Sequence, residues 1–232
     1  MKAFILAAGF GSRMVPLTYE TPKPLVSVNG VSFIETIIEA FLSKGISDIY
    51  VVRGYKKECF DRLLENYPFL RFIDNDDYDK GNNILSFEKM ASEFPQGGYI
   101  AEADLFVNNP DVIEVNPMSS YYLGTPVEKT DDWCFQEENR KATNYQKGGE
   151  HCFQACGLSY WTPEDAKMLI SDLSELLKNP QGKDYFWEFI PLVLFKEHYS
   201  VRIKPFHLGD ITEIDTIEEL AEFDPSYKQY VC

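Results

Sequence analysis

From residue 2 to residue 104, short apolar runs alternate with stretches whose apolar residues recur at helical spacing, and this alternation restricts the fold more than any other feature of the chain. Lys2–Ala7 reads as a strand, Phe33–Lys44 as a helix stopped by Gly45, Asp48–Arg53 as a strand and Lys56–Asn66 as a helix. Arg71–Asp74 then reads as a strand, Asn83–Glu93 as a helix and Gly98–Glu102 as a strand. A βαβαβαβ order predicts an α/β fold: a mostly parallel sheet with helices on both faces. Ligands of such sheets bind at the carboxyl ends of the strands. The loop after the first strand and Asp104 after the fourth both fall there.

The second half follows another pattern. Ser119–Leu123 and Trp133–Glu138 are strand-like, and the polar stretch 138–150 reads as a hairpin or excursion. Cys152–Tyr160 is expected as a strand, Glu164–Leu177 as a helix capped by Thr162, and Asp184–Phe195 as a further helix. Val201–Pro205 follows as a strand and Ile217–Phe223 as a helix. No repeat or low-complexity linker separates the halves. The expectation is one domain over 1–232, made of a half at 1–110 and a second half at 111–232 that forms an insertion on the core.

The first strand empties into Leu6-Ala7-Ala8-Gly9-Phe10-Gly11-Ser12-Arg13, and Lys23 follows between Pro22 and Pro24. Residues without bulk let backbone N–H groups approach a polyphosphate closely. Arg13 offers a planar fork to phosphate oxygens, while Lys23 is a point charge that can follow a migrating phosphoryl group. Flanking prolines restrict the backbone around Lys23. A Walker loop is excluded, since GxxxxGK[ST] is absent, and so is the dinucleotide fingerprint, since GFGSRM lacks its third glycine.

LAAGFGSRM…TPKPL resembles the LAAGxGxRL…xPKPL start of the nucleoside-triphosphate transferases, which include sugar-1-phosphate nucleotidyltransferases and cytidylyltransferases. Two separated parts agree in order and spacing. The resemblance implies a Rossmann-like sheet and transfer of a nucleotidyl group to a phosphate monoester. It narrows at Gly81-Asn82-Asn83-Ile84-Leu85-Ser86, the GYKKECF stretch from Gly54, EADLF and the late EID, which look like bacterial CTP:phosphocholine cytidylyltransferases over nearly the whole chain. CTP and phosphocholine are then the expected substrates. Leu6, Ala7, Ala8, Gly9, Gly11, Ser12, Asn82, Asn83 and Ser86 would meet the nucleotide, and Arg13 and Lys23 would be catalytic. Asn82 and Asn83 also suit helix capping.

Such a reaction brings two anions together, and the usual remedy is a divalent cation with Arg or Lys at the triphosphate. Mg²⁺ wants hard oxygen ligands, and one or two carboxylates suffice because phosphates provide others. Asp104 and Asp215 match the strand-end and late aspartates that hold the metal in the resembling transferases. A quaternary ammonium donates no hydrogen bond and is held by aromatic faces and diffuse negative charge. Asp184-Tyr185-Phe186-Trp187-Glu188 resembles the family's DxYW segment, with Phe186 where that pattern has Tyr. Trp133, Asp184, Tyr185, Phe186, Trp187 and Glu213 are accordingly expected around the acceptor.

The formal charge of −15 argues against a nucleic-acid partner. The apolar run Ala3–Ala8 is shorter than a signal-peptide core and breaks at Gly9. Five cysteines, an odd number with no CxxC pair, read as reduced thiols of a cytoplasmic protein. Cys152 and Cys156, beside His151, lack a second ligand pair for a metal. A sugar 1-phosphate acceptor, or a silent nucleotide sensor, stays open as an alternative, and so does a homodimer.

Overall fold

The computed structural model describes residues 1–231. Its strands are β1 (Lys2–Ala7), β2 (Ser27–Val28), β3 (Val31–Ser32), β4 (Asp48–Arg53), β5 (Arg71–Asp74), β6 (Gly98–Glu102), β7 (Leu105–Val107), β8 (Tyr121–Glu138), β9 (Lys141–Trp161), β10 (Arg202–Pro205) and β11 (Ile211–Glu213). Its α-helices are α1 (Phe33–Ser43), α2 (Leu63–Asn66), α3 (Ile84–Met90), α4 (Pro163–Leu176) and α5 (Ile217–Phe223). Among the described residues, no helix is long and apolar enough to cross a membrane.

Seven strands form one mixed sheet in the order β10-β8-β9-β6-β1-β4-β5. β1 lies parallel to β4 and β6, and β4 parallel to β5. β9 runs antiparallel to β6 and β8, and β10 parallel to β8. The expected Rossmann-like, mostly parallel sheet is therefore present, and the second half of the chain extends it.

Strand alternation explains why both faces are covered. Ala3, Ile5 and Ala7 of β1 point into one core with Ile34, Ile37, Ile38 and Phe41 of α1. Phe4 and Leu6 point into the opposite core with Phe87 and Met90 of α3 and Leu169 and Leu173 of α4. A strand apolar at every position can rest only between two such layers. Helix α1 starts where the sequence signals it: Ser32 and Glu35 form a reciprocal capping box. Thr162 caps α4 by accepting from the Asp165 N–H, as expected.

A third, smaller core lies outside the sheet. Met14, Val26, Val28 and Phe33 pack there with Ile214, Ile217 and Leu220. It joins the turn after the glycine loop and the neighbouring β2–β3 hairpin to the distant segment that contains α5. The antiparallel pair β7–β11, with Leu105 opposite Glu213, brings the end of β6 beside residues 213–215.

Two expectations are corrected. Asp184–Phe195 is not a continuous helix; a 3₁₀ turn covers Pro180–Asp184 and a π-helical turn covers Ile190–Leu194. The break falls at Tyr185, whose backbone is extended, while the Leu192 N–H still bonds to the Glu188 carbonyl across Pro191 at 3.1 Å. Lys56–Asn66 splits into a 3₁₀ turn at Lys57–Arg62 and the single turn α2. Among the described residues Cys134, Cys152 and Cys156 are buried free thiols and Cys59 is partly exposed; Cys232 lies outside those residues.

Candidate active site

The glycine loop leaves β1 at its carboxyl end, where the topology predicts a ligand. The Ala8 carbonyl accepts the Tyr55 N–H at 2.9 Å, and the Gly11 carbonyl accepts the Thr18 hydroxyl at 3.1 Å. Gly11 has φ 70°, and a Cβ on it would meet Lys23 Cβ at 2.9 Å. Left-handed backbone and lack of room both demand glycine. Gly11→Ala is expected to push Lys23 out of place and lower kcat at least ~10-fold with the fold retained. Steady-state kinetics beside a thermal melt checks this, and parental kcat would show that Lys23 is placed otherwise.

The loop borders a cavity of about 320 Å³. Leu6, Ala7, Ala8, Gly9, Gly11, Ser12, Arg13 and Lys23 line it from one side, and Gly81, Asn82, Asn83 and Ser86 from the other. Asp104 and Asp215 close its inner end. All nine residues expected at the nucleotide, both expected catalytic cations and both expected metal ligands thus meet in one place. Tyr78, Pro24, Glu102 and Ala103 also line it.

Charge is concentrated at the inner end. Lys23 Nζ donates to Asp215 Oδ1 at 2.6 Å and to Asp104 Oδ2 at 3.1 Å. Arg13 Nη1 pairs with Asp215 Oδ2 at 2.7 Å. Burial alone would lower the Lys23 pKa, but the charges and hydrogen bonds of Asp104 and Asp215 together outweigh it and hold the pKa above the usual lysine value. Carboxylate oxygens of Asp104, Glu213 and Asp215 lie within 4.8 Å of one another. Asp104 Oδ1 is buried with no hydrogen-bond partner. Three hard oxygen donors, one of them orphaned, fit the donor set of Mg²⁺. The neighbouring walls strip water from Glu213 although its tip stays open, and with Asp104 and Asp215 beside it the carboxyl is pushed well above the usual range.

A second cavity, of about 460 Å³, adjoins the first. The two share Arg13, Asn83, Glu102, Asp104 and Asp215. Tyr122, Asp132, Trp133, Tyr145, Lys147, Ala155, Gly157, Phe186, Glu188 and Glu213 complete the second. Asn83 lies on the border: its Nδ2 donates to Glu102 Oε1 at 3.0 Å and to Glu188 Oε2 at 3.4 Å, and its Oδ1 accepts the Trp187 N–H at 2.9 Å. Burial, with weaker opposition from its hydrogen bonds, pushes the Glu188 carboxyl up to about 7. Glu102 is raised well above the usual range, by burial first and then by the charges of Glu188 and Asp104.

Of the residues expected around the acceptor, Trp133, Phe186 and Glu213 reach this cavity. Asp184 and Tyr185 do not line it, and their side chains face solvent. Trp187 is 1% exposed, stacked on Phe87 with centroids 5.3 Å apart and edge-on to Trp161. It is a core residue whose indole N–H reaches Glu102 at 3.4 Å. Trp187→Ala should therefore cost about 3–5 kcal/mol of stability. Denaturant unfolding checks it, and an unchanged midpoint with a raised acceptor KM would return Trp187 to the acceptor. Glu102, Tyr122, Asp132, Tyr145 and Glu188 were not anticipated. For Glu102 a signal existed: alternation along β6 puts it on the same face as Ile100, aiming a carboxylate into an apolar layer.

The model of the nucleotidyl transferase family matches residues 2–72. Over 228 residues the chain is 38% identical to the 2-aminoethylphosphonate cytidylyltransferase of Lancefieldella rimae, covering 97% of this chain and 92% of the relative. It is 30% identical over 229 residues to the choline-phosphate cytidylyltransferase of Streptococcus pneumoniae, covering 98% and 99%. Among solved structures, the CTP:phosphocholine cytidylyltransferase of Streptococcus pneumoniae superposes with a TM-score of 0.88 at 30% identity, covering 98% of this chain and 99% of that one.

Proposed function

Because this chain belongs to the nucleotidyltransferase family, among its cytidylyltransferases, we propose that it transfers the cytidylyl group of CTP to a small acceptor carrying both a phosphate or phosphonate and a positive charge. Phosphocholine is the acceptor to which the sequence points, and 2-aminoethylphosphonate is the one for which a relative is named. The observation that carries the reading is the pair of adjoining cavities. One is a glycine loop with two cations, the other an aromatic and acidic chamber, and the carboxylates lie on their border.

The loop N–H groups from Ala8 to Ser12 are the donors for the triphosphate, and Arg13 and Lys23 neutralise charge around its α-phosphate. An oxygen of the acceptor phosphate or phosphonate bonds to the α-phosphorus as the bond to the β-phosphate oxygen breaks, and pyrophosphate leaves. Lys23, held between Asp104 and Asp215, keeps its ammonium where charge grows on the α-phosphoryl oxygens. Asp104, Asp215 and Glu213 are the residues that would hold Mg²⁺, which when bound shields the two anions from one another. Asn83 touches both chambers and fixes their mutual position.

Pyrophosphate release from CTP tests the reading with three acceptors: phosphocholine, 2-aminoethylphosphonate and glucose 1-phosphate. Release is expected with at least one cationic acceptor and not with the sugar. Release with glucose 1-phosphate alone would overturn the acceptor class, and CTP binding without release in any mixture would favour a sensor.

A further inference from the structure

We propose that Glu102 and Glu188, linked through Asn83, read the N–H bonds of the acceptor's cation, so that the protein takes a primary ammonium in preference to a quaternary one. This rests on the cytidylyl-transfer reading above and narrows its acceptor.

The two carboxylates are placed for directional contacts and form no ion pair among the described residues. Glu188 is 6% exposed, yet both its side-chain hydrogen bonds are long, at 3.4 Å from Tyr122 Oη and 3.4 Å from Asn83 Nδ2. Glu102 receives Asn83 and the Trp187 indole on Oε1 alone, so its Oε2 accepts from no described residue. Neither glutamate has an ion-pair partner among the described residues: Lys23 and Arg13 are engaged by Asp104 and Asp215, and Lys147, which also lines the chamber, pairs with neither glutamate. Desolvated acceptors that remain under-used cost free energy until a donor arrives. A primary ammonium brings three N–H donors and one charge. A trimethylammonium brings the charge but no donor, and would leave the same oxygens unsatisfied.

The aromatic side of the chamber points the same way. A cage for a quaternary cation needs ring faces turned toward it, within about 6 Å. Here Trp133 stacks on Tyr145 with centroids 5.1 Å apart and planes 16° apart, and Tyr145 also stacks on Phe135. Phe186 and Phe189 meet Trp133 nearly at right angles. The stack on Tyr145 takes one face of Trp133.

The strand opposite makes room for the carboxylate. A Cβ on Gly157 would sit 2.6 Å from Glu102 Cγ, so glycine there lets the Glu102 side chain turn into the cavity.

The test is a methylation series on one scaffold: phosphoethanolamine, then its N-methyl, N,N-dimethyl and N,N,N-trimethyl forms, with CTP and Mg²⁺ saturating. Acceptor kcat/KM is expected to fall stepwise, by at least about 100-fold across the series, mostly through KM. Glu188→Gln, which keeps the shape and removes the charge, is expected to flatten the series to within about 3-fold while the CTP KM stays put. Equal or rising kcat/KM toward the trimethyl form overturns the inference and leaves the cytidylyl-transfer reading standing. A Glu188→Gln protein that folds and keeps the parental slope also overturns it. Transfer to none of the four overturns the cationic-acceptor reading and this inference with it. The wild-type series decides the question even where the variant does not fold.

Discussion

Asp104→Asn is expected to lower the rate of CTP-dependent pyrophosphate release at least ~10³-fold while the protein melts within a few degrees of the parent, because divalent-cation stabilisation of phosphoryl transfer is worth several kcal/mol. The substitution keeps the volume and exchanges one carboxylate oxygen for an amide nitrogen. It removes one of three clustered carboxylates and weakens the contact at 3.1 Å with Lys23. Loss of that ion pair and relief of repulsion with Glu213 and Asp215 oppose each other, so little change in stability should follow. Titration with Mg²⁺ supplies the separate readout: the variant should need far more cation to reach its own plateau. A near-parental rate at ordinary Mg²⁺ would remove Asp104 from the metal site.

The second large effect is expected at Lys23. Lys23→Met keeps most of the buried stem and deletes the charge that Asp104 and Asp215 share. A loss of about 10²–10³-fold in kcat is expected, with a smaller change in the CTP KM, because the ammonium acts where charge develops. Stability should fall as well. Removing one partner of a buried ion pair costs ~3–5 kcal/mol, and the cost here should be smaller because the Asp104 and Asp215 side chains retain 27% and 14% exposure. The carboxylates left without their lysine should take up a cation more readily. Added Mg²⁺ should therefore raise the melting temperature of the variant more than that of the parent. Parallel shifts in the two proteins would show that Lys23 and the cation do not share these oxygens.

Much of the nucleotide side was legible because its signals are local. Alternating β and α periods put the glycine loop and Asp104 at the carboxyl ends of the strands, and the prolines around Lys23 marked an ordered lysine. Asp215 was legible from resemblance alone; its physical cause, the β7–β11 pair, involves two three-residue strands too short to carry a pattern. The acceptor side was harder to read. The segment 184–188 concentrates aromatics and acids, yet sequence does not say which of them turn inward. Trp187 goes to the core between Phe87 and Trp161, and Glu188, its neighbour, goes to the cavity. A helix through 184–195 would have given a different facing, and the extended backbone at Tyr185 breaks it. Tyr145 and Asp132 depend on how the β8–β9 hairpin folds back, with register shifts between Thr130 and Trp133 and around Cys134 that no periodicity reveals.

The small core outside the sheet has a consequence for the order in which the protein becomes an enzyme. The bond between Lys23 and Asp215 spans 192 residues. The segment around Lys23 rests on Val26 and Val28, and Asp215 is flanked by Ile214 and Ile217; all four are in that core. Closing so long a loop carries an entropic cost that must be met before the contact returns anything. On a growing chain, the glycine loop, the lysine and the first strands emerge early, but their carboxylate partner is made nearly two hundred residues later. The half of the molecule that carries the glycine loop thus lacks the Asp215 partner of its lysine. The cluster of Lys23 with Asp104 and Asp215 is therefore complete only when the segment leading into α5 has docked on that core.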